Sequence, residues 1–324
     1  MLIFVYGDDT FRVAEKVREL TRAFREKFDK TGMNIAVFPS GDGGALSAPE
    51  VLQAACSYPF LGPRRMVVVR GLMESVNKKD EAVWVDGFSR MPETTIAVLS
   101  ETAAPGTIEK KAMFKRLSEM AEIHTYVFAH LAGEALSRWT QERVRAKGGT
   151  IEPLALRALV ERVGSDLWRM DGEIGKLVAY AQDSLVTKAM VEALVSASFE
   201  SRIFELMDAL SKKQTKRALE LLEQERLSGS DDHYLLTMLG RQVRILLAAR
   251  AFVEEGSGSQ ADFSREMSLH PYPAGKALEQ SRAFSLADLK HAHELLFEYD
   301  VNIKTGRMGA GLAVDLMTER LIRF

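Results

Sequence analysis

The sequence predicts an α/β domain on a mostly parallel sheet, followed by an all-α region. Two observations carry this. Over roughly the first 130 residues, short apolar runs alternate with amphipathic segments of helical period, as strands do when helices cross between them. From about residue 131 the strand signals stop, and apolar residues recur only at spacings of three and four. A chain of 324 residues also exceeds one typical core and calls for two or three domains, which we place at 1–130, 131–200 and 201–324.

The first element is the apolar run Leu2 to Tyr6, a buried strand ended by Gly7. Val13, Val17, Leu20, Phe24 and Phe28 then mark one face of a helix. Between them lies a tight turn. In a mononucleotide-binding fold that turn carries Gly-x-x-x-x-Gly-Lys-Ser/Thr, whose amides and lysine hold the phosphates. Here it reads Gly7-Asp8-Asp9-Thr10-Phe11-Arg12, with two carboxylates where phosphate would lie. The turn has the architecture of a phosphate loop without its chemistry.

Ile35 to Phe38 is strand-like, Pro49 starts a short helix, and Met66 to Val69 is a second buried strand. Ala82, Val85 and Phe88 mark a helical face, Thr95 to Leu99 a strand, Ile108 to Met120 a helix, and Ile123 to Phe128 the last strand. Further on, helices are expected over Leu136 to Lys147 (closed by Gly148-Gly149), Leu154 to Val163 (closed by Gly164), Asp166 to Ala181, and around Met190 to Val195. These four read as a small helical lid. Beyond Phe199, apolar faces follow at Ile203 to Leu210, Ala218 to Leu222 and Leu235 to Leu247. A loop at Gly256 to Ser259, a kinked stretch Leu269-His270-Pro271-Tyr272-Pro273, and a closing helical segment from Leu289 to Phe324 complete the chain. So many two-sided apolar faces suit either packing against other subunits or a self-contained bundle.

With 43 basic and 45 acidic side chains, the formal charge of −2 argues against a chain that coats nucleic acid. No apolar run is long enough to span a bilayer, and the opening residues hold no basic leader, so a cytoplasmic protein is expected. The single cysteine, Cys56, has an apolar flank and reads as a small core residue. No catalytic constellation is found. Asp8 and Asp9 suit a helix N-terminus by charge alone, and the strand ending Ser100-Glu101 offers one glutamate, a weak metal signal. His291 and His293 point to different helix faces. The glycine-rich Lys304 to Gly311 follows a helix rather than a strand and has the wrong glycine spacing for a phosphate or dinucleotide loop. Arg169, on an amphipathic helix, reads as a solvated surface side chain.

The stretch that stands out is Ser57-Tyr58-Pro59-Phe60-Leu61-Gly62-Pro63-Arg64-Arg65. Pro59 and Pro63 lack amide donors and exclude both regular helix and central strand. A buried element on each side pins the loop. Phe60 and Leu61 either fold back to plug the core or face a partner.

The chain resembles a known family, the delta subunit of bacterial DNA polymerase III, the non-ATPase "wrench" of the sliding-clamp loader. The resemblance rests on residues spread over its whole length: Val5-Tyr6-Gly7-Asp8-Asp9-x-Phe11, Pro59-Phe60-Leu61-x-x-Arg64-Arg65-Met66-Val67-Val68-Val69, Gly164-x-Asp166-Leu167 and Glu173-Ile174-x-Lys176-Leu177. It continues in Ile203-Phe204-x-Leu206-x-Asp208-Ala209-Leu210, Arg241-Gln242-x-Arg244, His270-Pro271-Tyr272 and Asp300-x-x-Ile303-Lys304-Thr305-Gly306. Arg12 departs from it, standing where an apolar residue is common.

The resemblance implies an AAA+-like first domain that neither binds nor hydrolyses ATP, a helical lid, and a C-terminal helical collar that oligomerises with other loader subunits, the gamma/tau ATPases and delta prime. It implies no catalytic residue, cofactor or metal. It also implies that two bulky apolar residues enter a pocket on the beta sliding clamp and help open that ring for loading onto primed DNA. Those two fall on Phe60 and Leu61, with Pro59 entering in a register shifted by one. Arg64 and Arg65 beside them are the candidate contacts to DNA or a partner. Two other readings stay open on the residues. One is an ATPase with a degenerate loop, opposed by the missing Lys-Ser/Thr after Gly7. The other is a DNA-binding adaptor using Arg64, Arg65, Arg70, Arg241 and Arg244, opposed by the near-neutral charge.

Overall fold

The computed structural model describes residues 1–324 except 39–45, 121, 183, 197–198, 257, 268, 270 and 324, and omits the side chains of 199–201 and 271–272. His270 of the His-Pro-Tyr motif lies outside the described residues, as do the side chains of Pro271 and Tyr272. The chain divides into two units, Met1–Leu131 and Ala132–Phe324.

The first unit alternates strand and helix: β1 (Leu2–Tyr6), α1 (Thr10–Phe28), β2 (Ile35–Phe38), α2 (Ala48–Cys56), β3 (Arg65–Arg70), α3 (Leu72–Ser75), α4 (Glu81–Ser89), β4 (Thr95–Glu101), α5 (Pro105–Ile108), α6 (Ala112–Ser118) and β5 (Ile123–Val127). The strands form one sheet in the order β2-β3-β4-β1-β5, and every pairing is parallel. Residues alternate between its two faces. Ile3, Val5, Met66, Val68, Ile96 and Val98 pack under Val13, Val17 and Phe24 of α1. Phe4, Tyr6, Val67, Val69, Ala97 and Leu99 pack against α2 to α6 on the other face.

Three expectations for this unit need correction. The helix expected over Ile108 to Met120 is two short helices, because Lys111 leaves helical geometry at ψ 134°. The break lets Ile108 and Met113 both reach the core, and the Lys111 ammonium reaches the Met73 carbonyl at 2.5 Å. On α4, Ala82 is exposed and Trp84 fills the core with Phe88. Cys56 is half-buried at the end of α2, its thiol 3.6 Å from the Gly87 carbonyl.

The second unit comprises α7 (Gly133–Ala146), β6 (Thr150–Ile151), α8 (Pro153–Val163), α9 (Leu167–Ala181), β7 (Leu185–Val186), α10 (Lys188–Leu194), α11 (Phe199–Ser211), α12 (Thr215–Leu227), α13 (Asp232–Glu255), α14 (Gln260–Glu266), α15 (Pro271–Ser281), α16 (Leu286–Lys304) and α17 (Ala310–Arg323). Strand signals were expected to vanish here, yet β6 and β7 form a two-residue parallel pair. Runs that short have no periodicity to read. At the expected loop of Gly256 to Ser259, Gly256 caps α13 in a left-handed conformation, and Ser259 and Asp262 form a capping box that starts α14. α13 is the axis of the later helices, packing against α15, α16 and α17 through Leu235, Leu239, Val243 and Leu246.

Candidate functional site

Two places in the first unit were singled out for function, and the structure treats them in opposite ways. The first is the β1–α1 turn. Asp9 caps α1, its carboxylate accepting from the Arg12 amide at 3.0 Å and pairing with the Arg12 guanidinium at 2.6 Å. The Asp8 carboxylate accepts from the His130 amide at 2.9 Å. Arg12 lies over the Phe128 ring and donates to the Ala129 carbonyl, so its cation is accommodated at the helix start. Gly7 has φ 150°, and a Cβ there would sit 1.8 Å from the Phe128 carbonyl oxygen. The Arg12 amide, one of the donors that would cradle a phosphate at a helix N-terminus, is thus spent on the Asp9 carboxylate, and the chain after β5 lies against the turn.

Glu101, at the end of β4, is fully buried and accepts from the Met73 amide at 2.9 Å. Burial pushes its carboxyl up to about 7; nearby Glu74 adds to this, while the Met73 amide and Lys111 oppose it. Beside it the Tyr6 hydroxyl donates to Glu109 at 2.9 Å, and burial together with that bond raises the phenol above its usual range. Among the described residues no group of three or more His, Cys, Asp or Glu is arranged to hold a metal ion.

The second place is the loop between α2 and β3. Phe60 is 60% and Leu61 92% exposed, and Tyr58 beside them is 77% exposed. Pro59 is half-buried. Leu61 has φ 48°, a left-handed backbone that costs a leucine about 1–2 kcal/mol. The loop is nevertheless held. Asn34, ahead of β2 and 3% exposed, donates from its amide to the Phe60 carbonyl at 2.9 Å and accepts from the Phe60 N–H at 2.6 Å. Asp29 in turn accepts from the Asn34 N–H at 2.6 Å, from the Thr31 hydroxyl at 2.6 Å and from the Gly32 N–H at 3.1 Å. The Thr31 bond above all, with those two amides, holds the Asp29 carboxyl below its ordinary range against some desolvation.

Arg64 and Arg65 are both half-buried. Arg64 lies 5.7 Å over the Phe28 ring, and Arg65 opens β3 with its Nε enclosed and without a partner. The structure thus brings Phe60, Leu61 and Tyr58 together at one tip and turns the two arginines toward the body of the unit. Asn34 and Asp29 were missed by sequence reasoning. The pair spans the connection between α1 and β2, where such residues ordinarily signal only a turn.

Several residues of the motifs singled out in the sequence have structural duties in the second unit. Gly164 ends α8 at φ 75°, and Asp166 caps α9 through the Arg169 amide at 3.1 Å. Arg169 itself donates to the Ser196 carbonyl at 2.5 Å. Phe204, Asp208 and Gln242 converge on Gln280, whose amide donates to the Phe204 carbonyl at 2.8 Å and to the Asp208 carboxylate at 2.7 Å. Arg244, Asp300, Ile303 and Lys304 instead line an open groove of about 560 Å³ between α13 and α16, beside the exposed Phe297.

A parallel five-stranded sheet, a β1–α1 turn filled by its own side chains and a mostly helical second unit make an AAA+-like fold without a P-loop. The family model described as "DNA polymerase III delta subunit, C-terminal domain" matches residues 200–321. Over 98% of its length the chain is 24% identical to DNA polymerase III subunit delta of Bacillus subtilis (strain 168), covering 92% of that protein. The solved Bacillus subtilis DNA clamp loader delta protein superposes with a TM-score of 0.75 over 100% of this chain and 95% of that one, at 23% identity, which establishes the shared fold. Residues 200–321 are thus similar to the C-terminal domain of the DNA polymerase III delta subunit, and the chain as a whole shares the fold of the Bacillus subtilis protein.

Proposed function

We propose that this chain is the non-catalytic subunit of a sliding-clamp loader that grips the beta clamp and helps open its ring for loading onto primed DNA. The observation that carries this is the tip: two large apolar side chains, Phe60 and Leu61, held out in water on a loop whose backbone is pinned. Burial in a pocket on the clamp would contribute roughly 1.5–3 kcal/mol for each of them. Opening the ring requires that the tip bind the opened interface better than the closed one.

ATP then acts on partner subunits, the gamma/tau ATPases, because the β1–α1 turn here is spent on Asp8, Asp9 and Arg12. Residues 131–200 serve as a lid and residues 201–324 as the collar that meets those ATPases and delta prime, with the groove beside Phe297 available for such contact. The site of action is the cytoplasm, in keeping with the lack, among the described residues, of any helix long and apolar enough to cross a membrane. A DNA-binding adaptor is the weaker reading, since Arg64 stacks on Phe28 rather than reaching outward.

The test is calorimetric titration of this protein into the sliding clamp of its own organism, beside a Phe60→Ala, Leu61→Ala variant shown to be folded by circular dichroism. A loss of about a hundredfold or more in affinity is expected from removing two anchors. Equal binding by both proteins would move the contact elsewhere, and no binding by either would overturn the clamp-loader reading.

A further inference from the structure

The contacts around the tip raise a question of economy. Asn34 is buried and has every polar atom engaged: its N–H on Asp29, its carbonyl on the Met66 N–H at 2.9 Å, and both amide atoms on the Phe60 backbone. Its amide orientation is fixed, because the Phe60 N–H needs an acceptor and the Phe60 carbonyl a donor, so the flipped amide would face like with like. Yet the side chains that this bond holds in place, Tyr58, Phe60 and Leu61, are exposed and contribute nothing to the core. Gly62 is shaped to the same contact: a Cβ there would approach the Asn34 Nδ2 to 3.1 Å. A buried amide is therefore devoted to an exposed apolar loop.

We infer that Asn34 is the positioning residue of the clamp-binding tip: its side-chain amide clasps the Phe60 backbone at two points, and Asp29 orients Asn34, so that Phe60 and Leu61 are preset for docking. The inference rests on the proposal that those two side chains are the clamp anchors. Pro59 and Pro63 bring no amide donor, so the loop has fewer backbone groups with which to form a turn of its own. Without the clasp the tip samples several conformations, and affinity falls by the fraction of time spent in the competent one. Reducing that fraction to about a tenth weakens binding about tenfold.

The experiment is a double-mutant cycle on the full chain, titrated into the same clamp, with hydrogen exchange at the Phe60 amide as a second readout. In the native protein that amide is expected to be protected although its side chain is exposed. Asn34→Ala should abolish the protection and weaken binding about tenfold. Asn34→Asp, which keeps the acceptor for the Phe60 N–H but loses the donor, should fall between. In the Phe60→Ala, Leu61→Ala background, Asn34→Ala should change affinity no further, an outcome that a merely structural role would not produce. Native-like binding by a folded Asn34→Ala chain, beside a weakened Phe60→Ala, Leu61→Ala chain, overturns the role of Asn34 alone. Native-like binding by the Phe60→Ala, Leu61→Ala chain removes the anchors themselves. Should Asn34→Ala not fold, the native protein decides: a protected Phe60 amide sustains the clasp and an unprotected one refutes it.

Discussion

Leu61 offers a test in which stability and function move in opposite directions. Its side chain is 92% exposed, so folding gains nothing from it, while its φ of 48° places it in the left-handed region. That conformation costs a branched residue about 1–2 kcal/mol, and asparagine tolerates it far better. Leu61→Asn should therefore stabilise the first unit by about 0.5–1 kcal/mol, part of the strain it relieves. The same change should weaken clamp binding. It forfeits about 1.5–3 kcal/mol of leucine burial and brings an amide into an apolar pocket at a cost of about 1–3 kcal/mol. Even the low ends together predict a loss of about 50-fold or more. Stability is read from urea unfolding in a Trp139→Phe, Trp168→Phe background, where the buried Trp84 alone reports on the first unit. Affinity is read by calorimetry. A fall in stability of more than about 1 kcal/mol would mean that Leu61 packs within the fold, and unchanged affinity would mean that it is no anchor.

Two further substitutions examine the rest of the first unit. Gly7→Ala forces a Cβ to 1.8 Å from the Phe128 carbonyl at φ 150°, and should destabilise the first unit by about 3 kcal/mol or more, seen as a lower urea midpoint. Glu101, raised to about 7 by burial, holds its proton more tightly folded than unfolded. Its contribution is fully present below the unfolded value near 4.5 and is lost as pH rises through about 7. The loss is about 3 kcal/mol in order of magnitude. Glu101→Gln, which still accepts from the Met73 amide, should flatten the decline in urea stability between pH 5 and pH 8; an unchanged decline would place the titrating group elsewhere.

Most of the first unit was legible because its strands are buried on both faces and read as apolar runs: Leu2–Tyr6, Met66–Val69 and Thr95–Leu99 stand in the sheet as their composition implies. Elements decided by single tertiary contacts were not legible. The break at Lys111 depends on where its side chain meets the Met73 carbonyl, and Trp84 rather than Ala82 faces the core because of how α4 lies on its neighbours. The missing P-loop was visible as a missing lysine. What fills the turn was not, because the chain near Phe128 and His130 is more than a hundred residues away. At the tip, composition exposed Phe60 and Leu61 as candidates, while the Asp29–Asn34 support became visible only when two loops far apart in sequence were brought together.

The filled turn and the pinned tip share one element. α1 starts at Asp9, which closes the nucleotide position, and ends at Asp29, which holds Asn34 against the tip loop. Nineteen residues of helix between them span roughly 28 Å of rigid rod. In an ATPase, the N-terminus of such a helix is where nucleotide binding starts a conformational change. Here that end is tied to Arg12 and His130, so no nucleotide-dependent signal begins there. The far end is held as well, each polar atom of Asn34 being paired. A ligand shifts an equilibrium only between states that exist. If clamp binding by an assembled loader depends on ATP, we expect that dependence to come from partner subunits covering and uncovering the tip.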